Sequence, residues 1–271
     1  MGWLSLRTTQ PTVAISRGDL RKQLRKAGQG STDAFEVVSR HYLDFMTEFL
    51  VISGYHEEDR IQAYCRKTLH NIWQRSAYIR RVSDFERQLF IFLKQIPLNV
   101  APFQDLLTQR LVMLNSLQRF LLVGRDLESW SIKNLTLATR VPKHELNKPL
   151  FEAWKILVGF KTTDLDFNTN ECMEKVVENM EGGLDHSQQR RLCKKLTQNA
   201  IASGFKADCL NLRCELVELR QNARWDSETK NTFIAELRED ISTIEQLKPE
   251  LSERLKNQVS FECLHLETTE G

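Results

Sequence analysis

Apolar positions recur along the chain at spacings of three and four, and nowhere do they alternate one by one over a strand's length. This periodicity predicts amphipathic helices throughout and an all-α fold. A short basic helix is predicted over residues 19 to 27, capped by Asp19 and ended by Gly28 and Gly30. A longer helix follows over about 33 to 51, capped by Ser31 or Thr32, with a stripe of Phe35, Val38, Tyr42, Phe45, Phe49 and Leu50. Residues 61 to 73 and 83 to 96 make two more, the second with Phe85, Leu89, Phe92, Leu93 and Ile96 inward and Phe90 off that stripe, where it either captures an unstacked base or packs on a neighbouring helix. The stretch PLNVAPF, residues 97 to 103, reads as a linker because it holds two of the six prolines. Leu107, Leu111, Leu114, Leu117 and Leu121 then predict a helix over 104 to 123, stopped at Gly124.

The most informative pattern spans residues 131 to 157, SIKNLTLATRVPKHELNKPLFEAWKIL. Its helical spacing is interrupted once, around Arg140 to Pro142, which predicts two short helices and a tight turn. A helix-turn-helix has this layout, its second helix presenting a polar side to the major groove. Here that side carries Arg140, Lys143, His144, Asn147 and Lys148. Lysine reaches phosphates or guanine edges, and asparagine can pair bidentately with adenine. An ordinary helical hairpin with a solvated polar face satisfies the same spacing. Beyond residue 160, two helices flank Gly182 and Gly183, the second capped by Asp185 or Ser187, and a further helix covers 209 to 219. A longer helix over 227 to 247 is followed by Pro249 and a restart of the pattern, the simplest reading being a helical hairpin.

Charge refines this picture. Residues 1 to 160 hold 23 Lys/Arg against 15 Asp/Glu, and residues 161 to 271 hold 15 against 21, an excess of 8 positive followed by an excess of 6 negative charges. A basic part that faces nucleic acid and an acidic extension that folds back on it account for the asymmetry, as does chance between two helical domains. The six cysteines form no C-x-x-C pair and no histidine stands at ligand spacing to them, so free thiols are expected and no metal. Cys209 and Cys214 are expected on different sides of one helix. No apolar run approaches the ~20 residues of a membrane span, and the first residues lack a signal-peptide core. A cytoplasmic location and no membrane partner are expected. Phosphate-binding, zinc-protease and nucleophile-elbow motifs are all missing, so neither catalysis nor a cofactor is expected.

A family resemblance sharpens the expectation. The run from Ser131 to Leu157 resembles the fourth conserved region of extracytoplasmic-function sigma factors, close to S-x-x-E-I-A-x-x-L-G-V-x-x-x-T-V-K-x-R-L-x-R-A-x-x-x-L. Ser131, Leu135, Val141, Leu146, Leu150, Ala153 and Leu157 fall in register without a gap. Arg140 stands in place of the turn glycine, Asn134 and Thr136 in place of the acid and alanine, and Pro149 lies inside the second helix, where it is expected to kink or split it. The phrase AGQGSTDAFEVVSRHY is similar to the opening of the family's second conserved region, with Ala34, Phe35, Val38 and Tyr42 matching. IQAYCRKTLHNIW resembles the helix that the family presents to the polymerase clamp. With Trp73 setting the register, Arg66 and Lys67 take the Gln and Glu positions; a slide of one turn places Asp59 and Gln62 there instead.

The resemblance implies a leader and basic helix over residues 1 to 26, a sigma region 2-like domain over 27 to 97 and a region 4-like helix-turn-helix domain over 98 to 160. An acidic helical extension of unknown kind, 161 to 271, completes the chain. It implies core RNA polymerase and duplex promoter DNA as partners, the polymerase being met through Asp59, Gln62, Arg66, Lys67 and Trp73. The expected function is that of a divergent sigma-factor-like regulator of transcription initiation; the alternative is a sigma-derived protein-interaction module that has lost promoter reading.

Overall fold

The structure is a computed structural model that describes residues 15–100, 105–160, 165–180, 182–243 and 245–246. Among these residues every regular element is a helix, which establishes the all-α class. In order they are α1 (Arg17–Ala27), α2 (Thr32–Ile52), α3 (Glu58–Trp73), a 3-10 turn (Ser76–Tyr78), α4 (Val82–Leu93), α5 (Leu106–Leu111) and α6 (Ser116–Leu122). A π-helical segment (Val123–Leu127) leads to α7 (Ile132–Thr139), α8 (Lys143–Val158), α9 (Phe167–Met180), α10 (His186–Gln198) and α11 (Ala200–Ala223). A last described helix, α12, covers residues 227–243. The expected hairpin after Pro249 and most of the leader lie outside the described residues.

The centre is α2. From Tyr42 to Leu50 nearly every position is buried, which requires neighbours on all sides, and α1, α3, α6, the π segment and α11 supply them. Phe45 stacks on Trp130 at 4.6 Å and meets Phe120 edge-on at 5.0 Å. Phe90, off the stripe of α4, closes the cluster against Phe120 at 4.8 Å. Tyr42 stacks on Phe85 of α4 at 4.7 Å and gives its hydroxyl proton to Glu86 at 3.2 Å, while Arg17 of α1 grips both oxygens of the same carboxylate at 2.8 and 3.0 Å. Burial pushes the Glu86 carboxyl up from its ordinary range, and the Arg17 and Tyr42 bonds pull it part of the way back.

Several expectations are corrected by local chemistry. Ser16, not Asp19, caps α1, its hydroxyl accepting from Asp19 N at 3.1 Å. Of the alternatives for α2 and α10, Ser31 and Asp185 are the caps. The helix expected over 104 to 123 is two, because Asn115 and Gln118 form a capping box that starts α6 afresh. Gly124 does not stop it; the chain continues as the π segment to Leu127.

Nor do compact units separate at 97 or 160. One unit extends to Trp225 and a second begins at Asp226. Within the first, α4 packs on α7, α2 on α6, and α8 on α9 and α11, so the stretches expected as two domains and the start of the extension share one core. In the second unit, α12 buries Phe233, Ile234, Leu237 and Ile241 along one face. Cys209 is buried and Cys214 exposed, and both are free thiols. No described helix is long and apolar enough to cross a membrane.

Candidate nucleic-acid interface

Ser131 opens the helix-turn-helix by accepting a hydrogen bond from Asn134 N at 3.2 Å. Leu135 and Ala138 of α7 are fully buried. Thr139 fastens the turn from both sides, donating its hydroxyl to Leu135 O at 2.7 Å and accepting from Val141 N at 3.2 Å. Arg140 then takes the left-handed conformation, φ 61° and ψ 17°, and its N–H returns to Thr136 O at 2.9 Å. This is the backbone state in which glycine is favoured.

Pro142 precedes α8 in extended geometry, so its fixed φ and missing N–H fall where neither costs a helical bond. Leu146, Leu150, Phe151, Ala153, Trp154 and Leu157 of α8 are buried, and the opposite side of its first two turns is open. Arg140, Lys143, His144 and Lys148 are exposed and Asn147 is half-buried, so the turn and the start of α8 bring all five expected residues to one surface. Glu145 is the acid beside them, with Oε1 3.5 Å from His144 Nε2. The expected split at Pro149 does not occur: α8 runs from Lys143 to Val158 without a break. Tertiary packing of Leu146 before the proline and Leu150 and Phe151 after it holds the helical path although the Glu145 carbonyl loses its usual donor.

What holds this surface in place lies behind α7. The π segment carries Gly124, where a β-carbon would stand 2.8 Å from Leu135 Cδ2. Glu128 follows the segment, and Arg125 Nη1 donates to Trp130 O at 2.7 Å just before the Ser131 cap. Glu128 also belongs to a largely buried charge cluster. Arg224, the extended residue that follows α11, donates to Glu48 of α2 at 2.7 Å and to Glu128, while Arg220 of α11 reaches the same two carboxylates at 3.3 and 3.2 Å. Asp44 lies 3.9 Å from Arg224 Nη1. Three carboxylates thus share two guanidinium groups. Burial and the neighbouring Glu128 charge push the Glu48 carboxyl up to about 8, against the pull of Arg224 and Arg220.

The sign of this contact reverses the expectation from net charge. The bases come from the extension and the acids from the first part, and Arg213 with Asp126 at 3.8 Å repeats the arrangement. Reading the sequence for net charge missed these residues, although spacing held a signal. Asp44 and Glu48 are a like-charge pair four apart on one helix, which is unfavourable unless opposite charges face them, and Arg220 and Arg224 stand four apart across the end of α11.

On α3 the expected polymerase-facing residues are divided. Asp59 is exposed, Gln62 half-buried and donating to Glu58 Oε1 at 3.1 Å, and Arg66 half-buried, the three following one stripe. Lys67 is exposed but turned off that stripe. Trp73 is only 6% exposed and meets Phe35 edge-on at 5.0 Å, so its ring is a core contact. Among the described residues no group of three or more His, Cys, Asp or Glu is placed to hold a metal ion.

Comparison with known protein families, with curated proteins and with solved structures finds no match.

Proposed function

We propose that this chain is a sigma-factor-like regulator of transcription initiation that binds duplex DNA through the start of α8 and core RNA polymerase through the polar stripe of α3. The observation that carries the reading is the exposed set Arg140, Lys143, His144 and Lys148 on a braced helix-turn-helix. Its turn has the left-handed residue at the position where the sigma pattern has glycine. A helix inserted by its first turns places basic and amide side chains on base edges, while phosphate contacts fix the register. The test is a titration of the full chain with duplex DNA over a range of salt, alongside run-off transcription with core polymerase. Binding must weaken steeply with salt, and Lys143→Ala with Lys148→Ala must flatten the slope by about one unit per lost phosphate contact. Unchanged slopes, or no transcription from any template, would sink the reading.

One observation favours a second reading, a protein-interaction module that has lost promoter recognition. The family places a linker between its second and fourth regions, whereas here α4 packs directly on α7 and the two stretches share a core. Retention of core polymerase without any DNA binding selects this alternative.

A further inference from the structure

A groove of about 880 Å³ lies on the first unit, away from the start of α8, between the beginning of α3, α5, the end of α8 and the last turns of α11. Its apolar lining includes Val51, Ile61, Leu106, Leu157, Leu212 and Leu219. Leu106 is 57% exposed, so the groove leaves a large side chain in water. Along α11 the lining residues Asp208, Leu212, Glu215 and Leu219 follow one another at spacings of four, three and four, a seam on one side of the helix in which acids and leucines alternate.

Charge selects what fits. Glu58, Asp105, Asp208, Glu215 and Glu218 line the groove, against Arg110 and His56. Arg110 is engaged, since Nη1 donates to Leu157 O at 2.8 Å and the guanidinium fills the space beside Gly159, where a β-carbon would collide with it. The carbonyl end of α8 adds negative potential at the same place. From Asp208 to Ala223 the seam is about 22 Å long at 1.5 Å per residue, which matches about four turns of a second helix.

We propose that this groove seats a basic amphipathic helix of a partner protein, with leucine-like side chains entering against Leu106, Leu212 and Leu219 and lysines or arginines meeting Glu215, Glu218 and Asp208. The mode is a helix laid in an apolar groove, with rim charges setting orientation and partner choice.

The probe is a fluorescent 14-residue peptide made of two copies of Lys-Leu-Ala-Lys-Leu-Ala-Lys, titrated with the full chain by anisotropy. A one-to-one complex is expected. The Glu215→Lys, Glu218→Lys double variant should weaken it about tenfold, because both altered residues are exposed and now repel the peptide. Glu239→Lys, a reversal on the exposed side of α12, should leave it within about twofold. A peptide of the same composition with its leucines dispersed should bind about tenfold more weakly. No one-to-one complex, equal losses in the two charge variants, or equal binding of the dispersed peptide would each overturn the proposal. So would sedimentation showing that a second copy of the chain occupies the groove and excludes the peptide.

Discussion

Leu135 of α7 packs so closely over Gly124 that a β-carbon on the glycine would lie 2.8 Å from Leu135 Cδ2. Leu135 is fully buried, so the terminal methyl that a new β-carbon would meet has to turn within a closed core. Gly124→Ala should therefore destabilise the protein by about 1–3 kcal/mol, the usual cost of overpacking a filled core. Urea denaturation checks this, and Gly124→Ala, Leu135→Ala should recover part of the loss, since the second change makes room for the first.

Glu48 makes stability depend on pH in a definite direction. Its folded value of about 8 lies above the ~4.3 of an unfolded glutamate. A carboxyl raised on folding contributes stability that is fully present below the unfolded value and fades as pH rises through the folded one. Between pH 5 and 9 the melting temperature of the wild type should fall relative to that of Glu48→Gln, which keeps the shape and loses the titration. Parallel curves for the two proteins would show that the excess carboxylate charge is neutralised elsewhere in the cluster.

Arg140 occupies a left-handed backbone position that costs a residue with a β-carbon about 1 kcal/mol. Arg140→Gly should stabilise the fold by about 0.5–1 kcal/mol. If the proposed interface is right, the same change weakens DNA binding by removing one cation. Thermal unfolding and a DNA titration on one sample separate the two effects, and Arg140→Val should lose on both counts.

Pro149 leaves the Glu145 carbonyl without a helical donor inside an otherwise continuous α8. Pro149→Ala restores that donor and should raise stability, by at most the ~3 kcal/mol that an interior proline costs. An unchanged melting temperature would mean that in solution the helical bonds before Pro149 are not made.

Much of the helical order can be read from the chain because burial follows periodicity: the stripe of α2, the helices flanking Gly182 and the turn at Arg140 all lie where spacing puts them. Two features defeat that reading. The leucines from Leu107 to Leu121 keep helical spacing straight through a break, and only the Asn115 and Gln118 side chains, competing for backbone donors, reveal it. The prolines after Ile96 suggest separation, yet whether neighbouring segments part is decided by the faces they turn to each other. Phe90 on Phe120 and the packing of α4 on α7 join them. For the candidate interface, spacing alone brings Arg140, Lys143, His144, Asn147 and Lys148 to one surface. It could not place Trp73, whose burial depends on Phe35 in another helix. Net charge likewise counts residues without saying which of them meet.

The pairing of Glu48 with Arg224 also imposes an order on biosynthesis. The two residues are 176 positions apart. At roughly 5–20 residues per second, the carboxylate is made about 9 to 35 seconds before its guanidinium. Until then burial beside Glu128 favours the protonated form of Glu48, and the arrival of Arg220 and Arg224 lowers its hold on the proton. A nascent chain stopped at residue 160 already holds α1, α3, α6 and the π segment against α2, and only the side that meets α11 stays open until the last part of the unit is made.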